Sequence, residues 1–127
     1  MTKIIKLTTY DLRFPTSDNL DGSDAMNPDP DYSAAYVILE TENKLLQGHS
    51  FAFTLGRGND LCCEAIRALQ HIVLGLEIEW IKGNLSSFSR MMTSDTQLRW
   101  VGPEKGIIHM ASGAIINAVW DILAKLN

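Results

Sequence analysis

The sequence predicts an α+β fold, in which a three-stranded antiparallel meander is followed by a bundle of helices. Residues 1–55 contain short runs of β-branched and aromatic residues, whereas apolar residues recur at three- and four-residue steps in residues 59–127. Strands grouped ahead of helices are typical of a sheet whose helices pack on one face. A chain of 127 residues with 46% hydrophobic content has room for one core, so residues 1–127 are expected to form one domain.

Three segments have the composition of strands. Lys3 to Phe14 carries β-branched and aromatic residues, and Pro15 ends this run because proline offers no backbone donor. The polar segment Thr41–Lys44 separates Ala34–Glu40 from Gly48–Leu55. Two apolar runs joined by a short polar connection predict a hairpin, which completes the meander.

The stretch Ser17–Asp31 between the first two strands is rich in Asp, Asn, Gly and Pro. It contains almost nothing to bury, so we expect a mobile surface loop. Loops of this length in compact domains are usually functional or disordered, which makes the stretch a candidate ligand contact. Its aspartates lack the glutamate that a calcium loop needs at its twelfth position, so turn chemistry explains most of them. They are Asp18, Asp21, Asp24, Asp29 and Asp31.

Four helices are predicted in the second part of the chain. Asn59 or Asp60 is expected to cap the first, whose apolar stripe is Leu61, Ala65, Ala68, Leu69, Ile72 and Val73. Short helices follow around Glu77–Ile81 and Leu85–Met92. The last helix is expected to have Pro103 in its first turn. Its apolar stripe is Ile107, Ala111, Ile115, Ala118, Ile122 and Leu126. No Gly or Pro follows to end this helix, so the chain looks cut rather than finished.

Composition and charge argue against several classes of function. The net charge of −4 and the lack of a Lys/Arg cluster make nucleic acid an unexpected partner. No apolar run approaches the ~20 residues that span a bilayer, so no membrane contact is expected, and the polar start favours the cytoplasm. Cys62 and Cys63 are adjacent, which fits neither a disulfide framework nor a metal motif. We interpret both as reduced, helix-packing residues.

The segment Gly56–Leu61 lies between a strand and a helix, where phosphate-binding loops occur. It lacks the third glycine of a dinucleotide fingerprint and the Gly-Lys-Ser/Thr of a P-loop. Its glycines are better explained by positive φ at a tight turn. Arg57 remains of interest, because a guanidinium beside a helix N-terminus can grip a carboxylate.

The remaining polar and aromatic candidates favour structural roles. No serine or cysteine is placed by motif beside a histidine, so a hydrolytic triad has no support. The histidines are His49, His71 and His109. His109 lies next to the apolar stripe of the last helix and is expected to pack in the core. Trp100 is expected to be a buried anchor, with Arg99 and Glu104 bonded to backbone or to each other.

Four stretches of the chain resemble L-fuconate dehydratases of the enolase superfamily. They are DLRFPTSDNLDGSDAMNPDPDYSAAYV, FTLGRGND, TSDTQLRWVGPEKGIIHMA and INAVWDILAKL. The resemblance implies an N-terminal capping domain of a two-part enzyme whose second part is a modified TIM barrel. In the family, Mg²⁺ stabilises an enediolate while a lysine or histidine removes the proton next to the carboxylate. The acidic metal ligands and the acid/base residues come from the barrel.

The resemblance therefore implies no catalytic residue, no metal ligand and no bound cofactor in this chain, and the TIM barrel is absent from it. The cap's part is substrate selection by two loops that close over the barrel mouth. By resemblance, the residues near a sugar acid are Asp24, Asn27, Tyr32, Thr54 and Arg57. The chain alone is expected to be inactive. The alternative is a stand-alone interaction or assembly domain, and in either case a homo-oligomer is expected.

Overall fold

Strands and helices follow one another in the predicted order in a computed structural model, which describes residues 2–102 and 104–127. The elements are β1 (Ile4–Arg13), a 3-10 turn (Thr16–Asn19), β2 (Ser33–Thr41), β3 (Gln47–Thr54), α1 (Asn59–Val73), α2 (Ile78–Gly83), α3 (Leu85–Thr93), a second 3-10 turn (Arg99–Val101) and α4 (Ile107–Lys125). The strands form one antiparallel sheet in the order β1-β2-β3. The predicted α+β fold is confirmed.

The two faces of the sheet have different surroundings. Along the central strand β2, every second residue is buried, from Ser33 through Val37 to Thr41. This face packs against α1 and α4. The other face, which we call the outer face, carries rows of paired side chains such as Tyr10, Tyr36 and Phe51. Burial with a period of two follows from the pleat of the strands.

Helix α1 is rotated relative to the predicted stripe. Leu61 is 60% exposed and Ala68 also faces solvent, so both were wrongly placed in the core. Cys62 and Ile66 take the inward positions, because contacts with the sheet and α4 fix the rotation of the helix. Burial raises the pKa of the Cys62 thiol to about 11, which agrees with a packing role.

The predicted cap of α1 is also wrong. The residue before the helix is Gly58, which has a φ of 92° and supplies no side chain. Asn59 does not cap the helix; its side chain is fully buried and bonds to the strands. Asp60 is exposed and its carboxylate accepts a hydrogen bond from Arg13. Asn59 and Asp60 bond instead to residues 25 to 48 positions away, which the sequence alone does not indicate.

Helix α4 is the central helix of the core. Ile115 and Ile122 are fully buried as expected, but Leu126 is 50% exposed because it follows the end of the helix. The helix begins at Ile107, and Pro103, expected in its first turn, lies outside the described residues. By length and mean hydropathy (1.5), α4 could cross a membrane, contrary to the expectation that no segment could. Its apolar positions pack instead against β3 and α1.

Two side chains expected in the core lie at the surface. Trp100 is 86% exposed, since its 3-10 turn directs Val101 and the preceding Leu98 toward the core instead. His109 is exposed, and its Nδ1 accepts a hydrogen bond from the Lys105 backbone at 3.1 Å. No ion pair among the residues that the structure describes joins Arg99 to Glu104. Trp100 thus lies in a short turn, and His109 lies on the exposed side of α4.

Candidate functional site

A cleft of about 390 Å³ opens where three strand ends converge. The antiparallel register pairs Arg13 with Ser33 and Ser33 with Thr54, so β1 and β3 both end beside the start of β2. Two loops extend from this end of the sheet: the first loop, Ser17–Asp31, and the second loop, Phe53–Gly58. The cleft is lined by Arg13, Met26, Asn27, Pro28, Asp29, Pro30, Asp31, Leu55 and Arg57.

Hydrogen bonds fix the base of the first loop. The Thr16 hydroxyl donates to the Pro30 carbonyl at 2.7 Å and accepts from the Tyr32 amide at 2.9 Å. The Asp31 carboxylate accepts from the Ser17 amide at 3.1 Å. Its hydrogen bonds with Ser17 hold the pKa of Asp31 below its usual value, and the positive charge of Arg57 lowers it further. These bonds tie the two ends of the loop to each other, next to the end of β1 and the start of β2.

The second loop packs directly against the first. The Asp31 amide donates to the Leu55 carbonyl at 3.0 Å, which joins the two loops by a backbone hydrogen bond. Gly56 and Gly58 have φ values of 113° and 92°, as the sequence predicted for a tight turn. A Cβ at Gly56 would lie 2.9 Å from the Asp31 Cβ, so the close contact requires a glycine.

Two of the five residues expected near substrate line the cleft. Arg57 is exposed, and within residues 2–102 and 104–127 its guanidinium has no ion-pair partner. Its five N–H groups are therefore available to a ligand. Asn27 is half-buried at the other side of the cleft. The pair provides donors from both loops to a ligand held between them.

The other three residues have hydrogen bonds within the domain. Asp24 accepts from the Asn27 amide at 2.7 Å and the Met26 amide at 2.9 Å, and these bonds lower its pKa. The Tyr32 hydroxyl donates to the Gly22 carbonyl at 2.9 Å. The Thr54 hydroxyl donates to Asn59 Oδ1 at 2.7 Å. These side chains shape the two loops, and only their remaining acceptor capacity is open to a ligand.

Sequence reasoning did not single out Arg13, which adds a second cation to the cleft. Its guanidinium bonds to both carboxylate oxygens of Asp11, at 2.8 and 3.1 Å, and to Asp60 at 3.2 Å. Residues i and i+2 of a strand share a face, so Asp11 and Arg13 in β1 were a readable signal. The cleft is thus electrostatically mixed, with Arg13 and Arg57 facing Asp29 and Asp31.

The described residues do not fit a magnesium ion. No group of three or more His, Cys, Asp or Glu side chains among residues 2–102 and 104–127 is close enough to hold a metal. Hard divalent cations need several oxygen ligands at short range. What these residues can do is bind, orient and shield a ligand.

Solved structures share this fold. The human mitochondrial enolase superfamily member 1 matches with a TM-score of 0.93 and 49% identity, over 97% of this chain and 28% of that one. A racemase from Streptomyces coelicolor with bound magnesium matches with a TM-score of 0.78 over 94% of this chain and 31% of that one. At 20% identity, the racemase shows the fold alone. The fold is that of the N-terminal cap domain of the enolase superfamily.

Curated proteins also resemble the chain in sequence. Over 97% of its length the chain is 51% identical to mitochondrial enolase superfamily member 1 of Bos taurus. Over 91% it is 50% identical to an L-galactonate dehydratase of Hypocrea jecorina. The chain spans only 28% and 25% of these relatives' own lengths. No family model matches it.

Proposed function

We propose that this chain is the substrate-capping part of a Mg²⁺-dependent sugar-acid dehydratase whose catalytic residues lie in a C-terminal TIM barrel. The observation that carries the proposal is the cleft between the two loops, with the Arg57 guanidinium at its edge and without an ion-pair partner among the described residues. Support also comes from the relatives, which are about four times as long as the chain and include an L-galactonate dehydratase. In this proposal the chain alone is inactive and binds no metal.

The proposed substrate is L-fuconate, which is converted to 2-keto-3-deoxy-L-fuconate by loss of water. L-Fuconate and L-galactonate differ only at C6, which is a methyl group in the first and a hydroxymethyl group in the second. Met26 and Leu55, two apolar residues of the cleft, suit a methyl group. An apolar wall rejects an added hydroxyl only weakly, so both acids belong in the assay.

In the full-length protein, Arg57→Gln is expected to raise KM for the sugar acid about 10- to 100-fold while changing kcat less. The variant removes the charge-assisted hydrogen bonds that the guanidinium makes to substrate oxygens. The KM of Arg57→Lys should fall between those of the wild type and of Arg57→Gln, because an ammonium is a point charge without the planar fork of a guanidinium. The measurement is steady-state formation of the 2-keto-3-deoxy product from L-fuconate and from L-galactonate.

The matched control is Arg67→Gln, which removes another exposed arginine, one that pairs with Glu64 on α1. It should leave KM unchanged. An unaltered KM in Arg57→Gln would contradict a capping role for Arg57. Product formed by residues 1–127 alone, free of full-length enzyme, would contradict the need for the barrel.

The outer face of the sheet favours the second candidate function, assembly with another copy of the chain. Tyr10, Leu12, Phe14, Phe51 and Phe53 are between 39% and 55% exposed on or beside this face. Half-exposed aromatic residues contribute about 100 Å² each, so the patch reaches the upper end of what monomers usually expose. Lys6 and Glu40 on this face pair with each other at 3.3 Å, so together they add no net charge to a contact between two copies.

Phe51→Asp in the full-length protein is expected to lower the oligomer mass to that of a smaller assembly, since a buried unpaired carboxylate destabilises the contact. Analytical ultracentrifugation measures the mass. Leu45→Asp is the control, because Leu45 is 94% exposed in the β2–β3 hairpin and off this face. An unchanged mass in Phe51→Asp would rule out this face as the interface.

The cytoplasmic location expected from the sequence stays a prediction.

A further inference from the structure

Asn59 is a fully buried polar residue with every side-chain hydrogen-bonding group engaged. Its Nδ2 donates to Asp11 Oδ1 at 2.6 Å and to the Ala34 carbonyl at 3.1 Å. Its Oδ1 accepts from the Thr54 hydroxyl at 2.7 Å. Its backbone amide donates to the Gly56 carbonyl at 3.0 Å. One residue thus connects all three strands with the second loop.

The partners determine how the Asn59 amide is oriented. An ionised carboxylate and a backbone carbonyl only accept hydrogen bonds, so the NH₂ group must face Asp11 and Ala34. The oxygen is then left for the Thr54 hydroxyl. Hydrogen bonds from Arg13, and next from Asn59, hold the pKa of Asp11 below its usual value, which keeps this carboxylate an acceptor at neutral pH. The arrangement is satisfied only by an amide at position 59.

Arg57 lies between Asn59 and the two residues of the second loop that Asn59 holds. Thr54 and Gly56 precede Arg57, and Asn59 follows it after a single glycine. A turn with two glycines at positive φ has little stiffness of its own, so its conformation depends on these anchors. Asp11 links the same network to Arg13, the second cation of the cleft.

We infer that Asn59 is a positioning residue that holds the second loop, and through it Arg57, in place at the cleft, with Asp11 as its anchor on the sheet. The effect on substrate rests on the proposed function, whereas the effect on the loop does not. Asn59 touches no ligand itself in this arrangement, because it is fully buried.

The test is Asn59→Asp in the full-length protein, which keeps the shape but turns an oxygen toward Asp11 and the Ala34 carbonyl. We expect the amides of Asp31 and Asn59, which donate to the Leu55 and Gly56 carbonyls of the second loop, to exchange hydrogen about tenfold faster. KM should rise about tenfold, with kcat within about twofold. Asn117→Asp, an exposed asparagine of α4, is the control and should change neither quantity.

A second pair of variants covers the case in which Asn59→Asp does not fold. Thr54 is half-buried, and Thr54→Val removes only the hydroxyl donor to Asn59. It should speed exchange of the same amides about threefold or more, whereas Thr54→Ser keeps the donor and should restore the wild-type rate. Exchange is measured without substrate, so this comparison does not depend on activity.

The outcomes separate this inference from the proposed function. Unchanged exchange in Asn59→Asp and Thr54→Val would overturn the inference even if Arg57→Gln raised KM. Faster exchange in Asn59→Asp with an unchanged KM would also overturn it if Arg57→Gln raised KM. An unchanged KM in Arg57→Gln would sink the proposed function instead, while faster exchange would still support Asn59 as the residue that holds the loop.

Discussion

Gly48→Ala is expected to lower the free energy of unfolding by about 3 kcal/mol, the upper range for overpacking a core. Gly48 lies opposite Leu39 on the helix-facing side of the sheet, where β3 meets α4. A Cβ there would lie 2.0 Å from the Ala118 carbonyl oxygen and 2.7 Å from Ile122 Cγ1. Since the first contact is with backbone, no side-chain rotation relieves it, and the strand and helix must separate. Urea denaturation measures the change.

Gly113→Ala is the matched control for this prediction. Gly113 lies in α4, one of the two elements that meet at Gly48, but a Cβ there would have nothing within 4 Å among the described residues. Alanine is a better helix former than glycine, so this variant should be about 0.5 to 1 kcal/mol more stable than the wild type. If Gly48→Ala proved as stable as Gly113→Ala, the close approach of β3 and α4 would be wrong.

Phe88→Ala is expected to lower the free energy of unfolding by about 3 to 5 kcal/mol, because it removes a large buried side chain and leaves a cavity. Phe88 is fully buried in α3, a helix that packs against α1, α2 and α4. The measurement is the urea midpoint together with the slope of the transition, which shows whether unfolding stays cooperative.

Leu45→Ala removes a large apolar side chain that is 94% exposed, so it serves as the comparison. Surface substitutions of this kind usually change the free energy of unfolding by no more than about 0.5 kcal/mol. A loss of less than about 1 kcal/mol in Phe88→Ala would mean that α3 contributes little to the core.

The strands were the most predictable part of the fold. The run of β-branched and aromatic residues and the proline at position 15 predict β1 to within a residue at each end, and the two hairpin strands agree as closely. These signals are local, since they depend on the pleat and on turn chemistry. The rotation of α1 was less predictable because Leu61 and Ile66 are equally apolar in sequence. Only packing against the sheet decides which of them is buried.

In the candidate site, too, features set by neighbouring residues were predictable from the sequence and contacts between distant residues were not. The glycine turn around Arg57 was readable, because positive φ has a residue preference. The bond between Asn59 and Asp11 joins residues 48 positions apart, and no spacing in the sequence indicates it. The predictions that Trp100 and His109 are buried were wrong for a related reason. A residue with apolar neighbours along the chain does not always have neighbours in space.

The backbone hydrogen bond between Asp31 and Leu55 joins the two loops beside a core that their side chains do not enter. No residue of either loop belongs to the buried apolar cluster of the described chain, so that cluster tolerates new loop side chains. Such a fixed frame with replaceable loops is where new specificity arises most readily. Libraries that vary residues 19–29 while keeping Thr16 and Asp31 are therefore expected to yield folded protein.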